Sequence, residues 1–244
     1  MNCVYTTTFM KHKITILFLL ISTALFAQEI VEFRGDDRSG FYNETGLLKQ
    51  WPESGPELLL KIEGIGKGYS QPIFVDETIF ITGIKEDTID ILSAYNLNGE
   101  LLWDIPYGRS WTAAYIDSRS TPTYDNGKLY VSSGTGQLSC INASTGTIIW
   151  SVNAVHKFEG AIHTHGDAEA PLLVGNKVVY VTGGEKNAVL AFEKNTGELI
   201  WKTKSLGGAK SYASPTVINH NGLQIILVQT TPDLLGVDAN NGEI

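Results

Sequence analysis

The stretch His163-Thr-His165-Gly-Asp167-Ala-Glu169 sets two imidazoles and two carboxylates at alternate positions. If the segment is extended, alternate residues project to one side, and these side-chain types are ligands for zinc and other divalent ions. The spacing matches no dedicated metal motif, so structural or solvated roles are the expectation and a metal held by these four is the weaker alternative. Two neighbouring stretches carry further polar and aromatic groups: Arg109, Trp111, Tyr115 and Arg119 upstream, and Tyr212 downstream. Aromatic rings beside arginine, histidine and carboxylates suit recognition of a polar small molecule or a peptide segment. No catalytic residue is assigned. The chain has two cysteines, Cys3 and Cys140. The second stands in a repeat column otherwise filled by Ala94, Ala191 and Gly236, which marks it as a packed small residue rather than a nucleophile.

These residues must be positioned by a repeat. Ala94 to Trp103, Cys140 to Trp150 and Ala191 to Trp201 share one pattern: a β-rich run, a turn glycine, and a tryptophan four positions later. The turn glycines are Gly99, Gly146 and Gly197, the tryptophans Trp103, Trp150 and Trp201, and Gly242 opens a fourth copy. Glycine adopts the positive φ that a tight turn needs, and tryptophan brings a large apolar surface to a constant place in each unit. Each unit also holds a proline (Pro72, Pro122, Pro171, Pro215) in its expected first strand, followed by a β-rich second strand. Four short strands recurring at this interval predict an all-β fold, a propeller of four-stranded antiparallel blades. Proline suits an edge strand lining the channel, since it cannot donate within a ladder.

Three full units and most of a fourth are legible over residues 58–244, so the expected ring is incomplete. Residues 58–63 resemble an outermost strand, with Leu60 in the tryptophan column, and are the candidate closing strand. Residues 28–57 are rich in glycine, proline and charge and are read as an extended arm with turns. Residues 1–27 carry Lys11 and Lys13 before the apolar run from Ile14 to Phe26, the layout of a secretory signal peptide. Its removal would take the net charge from −8 to −10. Export to the periplasm or the extracellular space is therefore expected, with no transmembrane segment after cleavage. The acidic balance and the lack of any basic run argue against nucleic acid and anionic membrane surfaces as partners.

The repeat written as Cys140 to Trp150 and Ala191 to Trp201 resembles the tryptophan-docking motif of the pyrroloquinoline-quinone-like β-propellers. The lead-in Phe33 to Tyr42, followed by Gly46 to Pro52, is similar to that of exported bacterial members. The resemblance implies the propeller fold strongly and chemistry weakly, because it lies in structural columns. Quinone-dependent members bind pyrroloquinoline quinone and calcium and commonly have adjacent cysteines near the cofactor; this chain has no such pair. The expected function is thus an exported, non-catalytic binding or scaffolding propeller without a cofactor. Its long loops, from Trp103 to Pro122, Trp150 to Pro171 and Trp201 to Pro215, would bind a polar ligand or a protein partner on one face. The alternative is a quinone-dependent alcohol or sugar dehydrogenase-like enzyme, and only that would bring in quinone and calcium.

Overall fold

A computed structural model describes residues 30–231 and 233–244; the expected signal peptide lies outside the described residues. Four antiparallel sheets follow one another along the chain. The first three are β1 (Ile73–Val75) to β4 (Leu101–Arg109), β5 (Thr123–Asp125) to β8 (Ile148–Asn153), and β9 (Leu172–Val174) to β12 (Leu199–Lys204). Strands in each pair in sequence order, as in propeller blades. In the fourth sheet, β15 (Leu223–Thr231) pairs with β14 (Thr216–His220) and β16 (Leu234–Asp238), while β13 (Ala209–Lys210) extends the β14 side. This arrangement is consistent with an incomplete propeller.

Two expectations need correction. The prolines do not lie within the innermost strands: Pro72, Pro122, Pro171 and Pro215 each immediately precede one (β1, β5, β9 and β14). There the missing N–H breaks no ladder bond. Residues 58–63 form no strand, although a Cβ on Gly99 would come within 3.1 Å of Leu60 Cδ1.

The apolar core is not central. It lies in three layers, each between consecutive blades: Phe80, Leu92 and Tyr107 meet Leu129 and Ile141; Tyr130 and Leu138 meet Val178 and Leu190; Val179 and Ala191 meet Ile226 and Val237. Each layer is closed by a tryptophan crossing to the next blade. The indole N–H groups of Trp103, Trp150 and Trp201 donate to the carbonyls of Ala143, Lys194 and Ala239 at 3.1, 2.9 and 3.1 Å. Each ring lies against the turn glycine of that blade: Gly146, Gly197 or Gly242. On its own blade, each tryptophan stands directly across from Ala94, Cys140 or Ala191, which explains the small-residue column. The ladder slips by one residue beside each of these pairs, so the residue before each tryptophan is bulged out. Cys140 is fully buried, and burial pushes its thiol to about 11, away from nucleophilic use.

The arm is more than an extended lead-in. Val31 pairs with Tyr124 on β5, and the buried Arg38 donates to the carbonyls of Ala170 (3.0 Å), Pro171 (2.6 Å) and Pro215 (2.9 Å). Its Nε also meets Glu32 at 2.5 Å. One guanidinium from the arm therefore joins the inner edges of the third and fourth blades.

Two substitutions test these contacts by urea denaturation. Gly197→Ala would place a Cβ 2.7 Å from Trp150 Cδ2 at φ +72; the expected loss from this contact is about 1–3 kcal/mol. It comes over and above the backbone strain of about 1–2 kcal/mol that Gly175→Ala should show alone, since Gly175 also has positive φ (+59) but no atom within 4 Å. Arg38→Ala leaves Glu32 buried without its partner, and about 3–5 kcal/mol should be lost.

Candidate functional site

The connections from β4 to β5, β8 to β9 and β12 to β14 run between blades and leave each outer strand at the end beside the β2–β3 type turns; they carry the residues singled out in the sequence except Arg109, which ends β4. The second of them begins with the short helix α1 (Ala154–Lys157), whose N-cap Asn153 accepts from the His156 amide.

The alternation expected of His163, His165, Asp167 and Glu169 does not survive folding. The His163 carbonyl accepts from the Gly166 amide at 2.8 Å, and Gly166 takes φ +85 with Trp111 packed where a Cβ would sit. This turn sends the two histidines outward and the two acids inward. Among the described residues, no three His, Cys, Asp or Glu side chains converge as metal ligands.

The outward half is an aromatic cluster. The His163 ring meets Tyr212 edge-on at 4.6 Å between centroids, and His165 meets Tyr115 edge-on at 5.5 Å. His163 and His165 lie 5.4 Å apart. Arg119 ties two loops together, donating to the carbonyls of His165 (2.9 Å) and Tyr115. Tyr69, Tyr115, Asp117, Arg119, His165 and Tyr212 line an open depression of about 270 Å³. Desolvation, with His165 as the second cause, holds the His163 imidazole below its ordinary value, which favours the uncharged ring. Arg109 is not part of this cluster; it ends β4 and lines a separate cavity with Thr135, Gln137 and Asn153.

The inward half is a sealed polar group that the sequence did not reveal. Lys210 is 1% exposed; its ammonium meets Asp167 at 2.8 Å, donates to the Val181 carbonyl at 2.8 Å and lies 4.2 Å from the Tyr180 ring centroid. Tyr180 donates its hydroxyl to the other Asp167 oxygen at 2.5 Å. Glu169 is the poorly satisfied member. Its carboxylate stands 3.5 Å from Lys210, and neither oxygen has a hydrogen-bond partner. Burial outweighs the attraction of Lys210 and raises the Glu169 carboxyl to about 8. A second buried acid, Asp90, is held by the Ser110 hydroxyl and the Gly134 amide, each at 2.7 Å. Lysine is seldom fully buried, so only the fold could give Lys210 an interior role.

Glu169 makes stability depend on pH with a definite sign. An acid whose folded value is raised keeps a proton that the unfolded chain releases, so its contribution falls as pH rises from about 4.5 towards 8. Glu169→Gln removes that linkage. Urea midpoints measured at pH 5 and pH 8 should fall less in the variant than in the parent; an equal fall would place the linkage elsewhere.

Set beside known proteins, the fold and the repeat have clear relatives. The family described as outer membrane protein assembly factor BamB matches residues 85–244. Outer membrane protein assembly factor BamB of Nitrosomonas eutropha is 25% identical over 183 residues, covering 75% of this chain and 39% of that protein. Lanthanide-dependent methanol dehydrogenase of Methylacidiphilum fumariolicum is 35% identical over 88 residues, 34% of this chain and 14% of the enzyme. Among solved structures, the quinohemoprotein alcohol dehydrogenase from Comamonas testosteroni superposes with a TM-score of 0.56 at 16% identity, covering 73% of this chain and 34% of that one. The chain spans less than half the length of the curated relatives it matches. With its tryptophan-docked blades and a matched stretch of residues 85–244, the chain belongs to the family described as outer membrane protein assembly factor BamB.

Proposed function

We propose that this chain is part of an exported, non-catalytic propeller scaffold that binds a protein partner or a polar ligand on its long-loop face. The observation that carries this reading is the division made at Gly166. The groups with chemical potential, Asp167, Glu169 and Lys210, are buried and engaged with one another, while Tyr115, Tyr212, His163 and His165 form an open aromatic surface. A shallow, rigidly mounted patch of this kind suits contact rather than turnover. Relatives named for outer membrane protein assembly support a scaffold role and an exported setting. No helix among the described residues is long and apolar enough to cross a membrane.

This reading leaves out pyrroloquinoline quinone and calcium. A flat polyanion needs cations with donors to spare, yet Arg38 and Lys210, the buried cations, are committed to carbonyls and acids of the chain itself. Calcium takes six to eight oxygens, and the two acids that do come together, Asp167 and Glu169, meet on the Lys210 ammonium. On this reading the buried cations and acids serve the scaffold rather than a quinone or calcium.

Site-directed photocrosslinking in cells tests the binding face. A crosslinker replacing Tyr115 or Tyr212 should capture a component of the outer membrane assembly machinery, and one replacing the exposed rim residue Ile149 should not. Capture from the rim alone would overturn the assignment of the loop face. Separately, purified chain given pyrroloquinoline quinone and calcium should reduce no dye with alcohol or sugar; stoichiometric quinone binding with substrate-dependent reduction would restore the enzymatic reading.

A further inference from the structure

In a chain of net charge −8 with no basic run, the fold nevertheless assembles a basic groove. Lys157, Lys186, Lys202 and Lys204 line a cavity of about 400 Å³ with Phe158, Glu159 and Asn187, at the outer side of the third blade. They come from three separate segments. On β12, Lys202 and Lys204 alternate with the inward Trp201 and Thr203, so strand periodicity turns both ammoniums to solvent. Lys204 stands opposite Asn187 in the ladder, beside Lys186. The Asn187 side-chain amide donates to the Phe158 carbonyl at 2.9 Å, and Phe158 packs edge-on against Phe192 at 5.7 Å. These contacts fix the loop bearing Lys157 against the same groove.

The charges do not cancel. Glu159, the acid among the lining residues, pairs with Lys186 at 2.5 Å. Lys157, Lys202 and Lys204 have no anionic partner among the described residues, the first lying 5.5 Å from the Phe158 ring centroid. Glu185, exposed and adjacent to Lys186 in the chain, is not among the lining residues. We infer that this groove is a binding site for a ligand bearing two phosphoryl groups. Two such groups carry roughly −3 to −4 at neutral pH, which balances the three uncompensated lysines. Lysine contacts phosphoryl oxygens as a rotatable point charge, so lysines on separate segments can follow a compact polyanion bearing about one charge for each of the three uncompensated ammoniums. The site is remote in kind from the aromatic loop surface and stands or falls independently of it.

Inorganic pyrophosphate titrated calorimetrically at low ionic strength should bind saturably at one site, and added salt should weaken it. Lys202→Gln/Lys204→Gln should weaken binding roughly tenfold or more, while Lys202→Arg/Lys204→Arg should keep most of it. The double control Lys128→Gln/Lys177→Gln makes the same change in net charge away from the groove and should leave affinity within about twofold. Parent-like thermal melts confirm that the exposed substitutions leave the fold intact. Phosphatidylcholine vesicles doped with diphosphorylated lipid A, whose headgroup bears two phosphomonoesters, separate the two sources of such a ligand. Groove-dependent binding to both probes identifies a lipid headgroup; groove-dependent binding of pyrophosphate alone identifies a soluble diphosphate. No saturable pyrophosphate binding, or an equal loss in the control variant, would overturn the site.

Discussion

The contact on which the other features depend is the tryptophan that leaves one blade and docks on the next. A single four-stranded sheet cannot bury both its faces, so each blade is stable only against neighbours. Here the indole does two things at once. Its N–H satisfies a turn carbonyl of the next blade, and its ring covers the glycine of that turn, where a Cβ would lie 2.7 to 2.8 Å from ring atoms. Turn conformation, ring packing and a hydrogen bond thus constrain the same few atoms. The angle between blades follows from that fit, and the core falls into inter-blade layers instead of a single centre.

Hydroxyl bridges repeat the logic nearer the inner strands. Thr82 donates to the Ser120 carbonyl and Ser132 to the Glu169 carbonyl, each reaching from one blade to the segment before the next blade's inner strand. The Gln71 amide donates to the Thr121 hydroxyl, and the Ala170 amide to the Ser214 hydroxyl. The segments before the inner strands also present backbone carbonyls, and Arg38 from the arm donates to three of them, those of Ala170, Pro171 and Pro215, at the third and fourth blades. The inner edge is accordingly held by polar contacts and the outer layers by apolar ones.

This division sets where function can reside. Long loops return from the outer strand of one blade to the inner strand of the next, and their buried portions are used for cohesion. Asp167 is bound by both Lys210 and Tyr180, so it is a fixed part of the scaffold. Only what remains outside these networks is available to a ligand: the tyrosines and histidines above the turn, and lysines turned outward by strand periodicity. A rigid frame with adaptable surface positions is how repeat folds come to host unrelated roles.

The sequence by itself determined the class of fold, the blade columns and the face bearing long loops. It could do so because glycine before tryptophan, a small residue opposite it and β-rich runs are local requirements repeated in every copy. It did not determine which loop residues would meet. The spacing of His163, His165, Asp167 and Glu169 suggested one side, but Gly166 at positive φ, packed under Trp111, turned the acids inward. Nor could local pattern place Lys210 beside them or draw Lys157, Lys186, Lys202 and Lys204 to one groove. Lys210 meets the acids because the fourth blade packs on the third, whereas the groove forms where the β11–β12 ladder and the loop after β8 come together; only the tertiary structure decided either meeting.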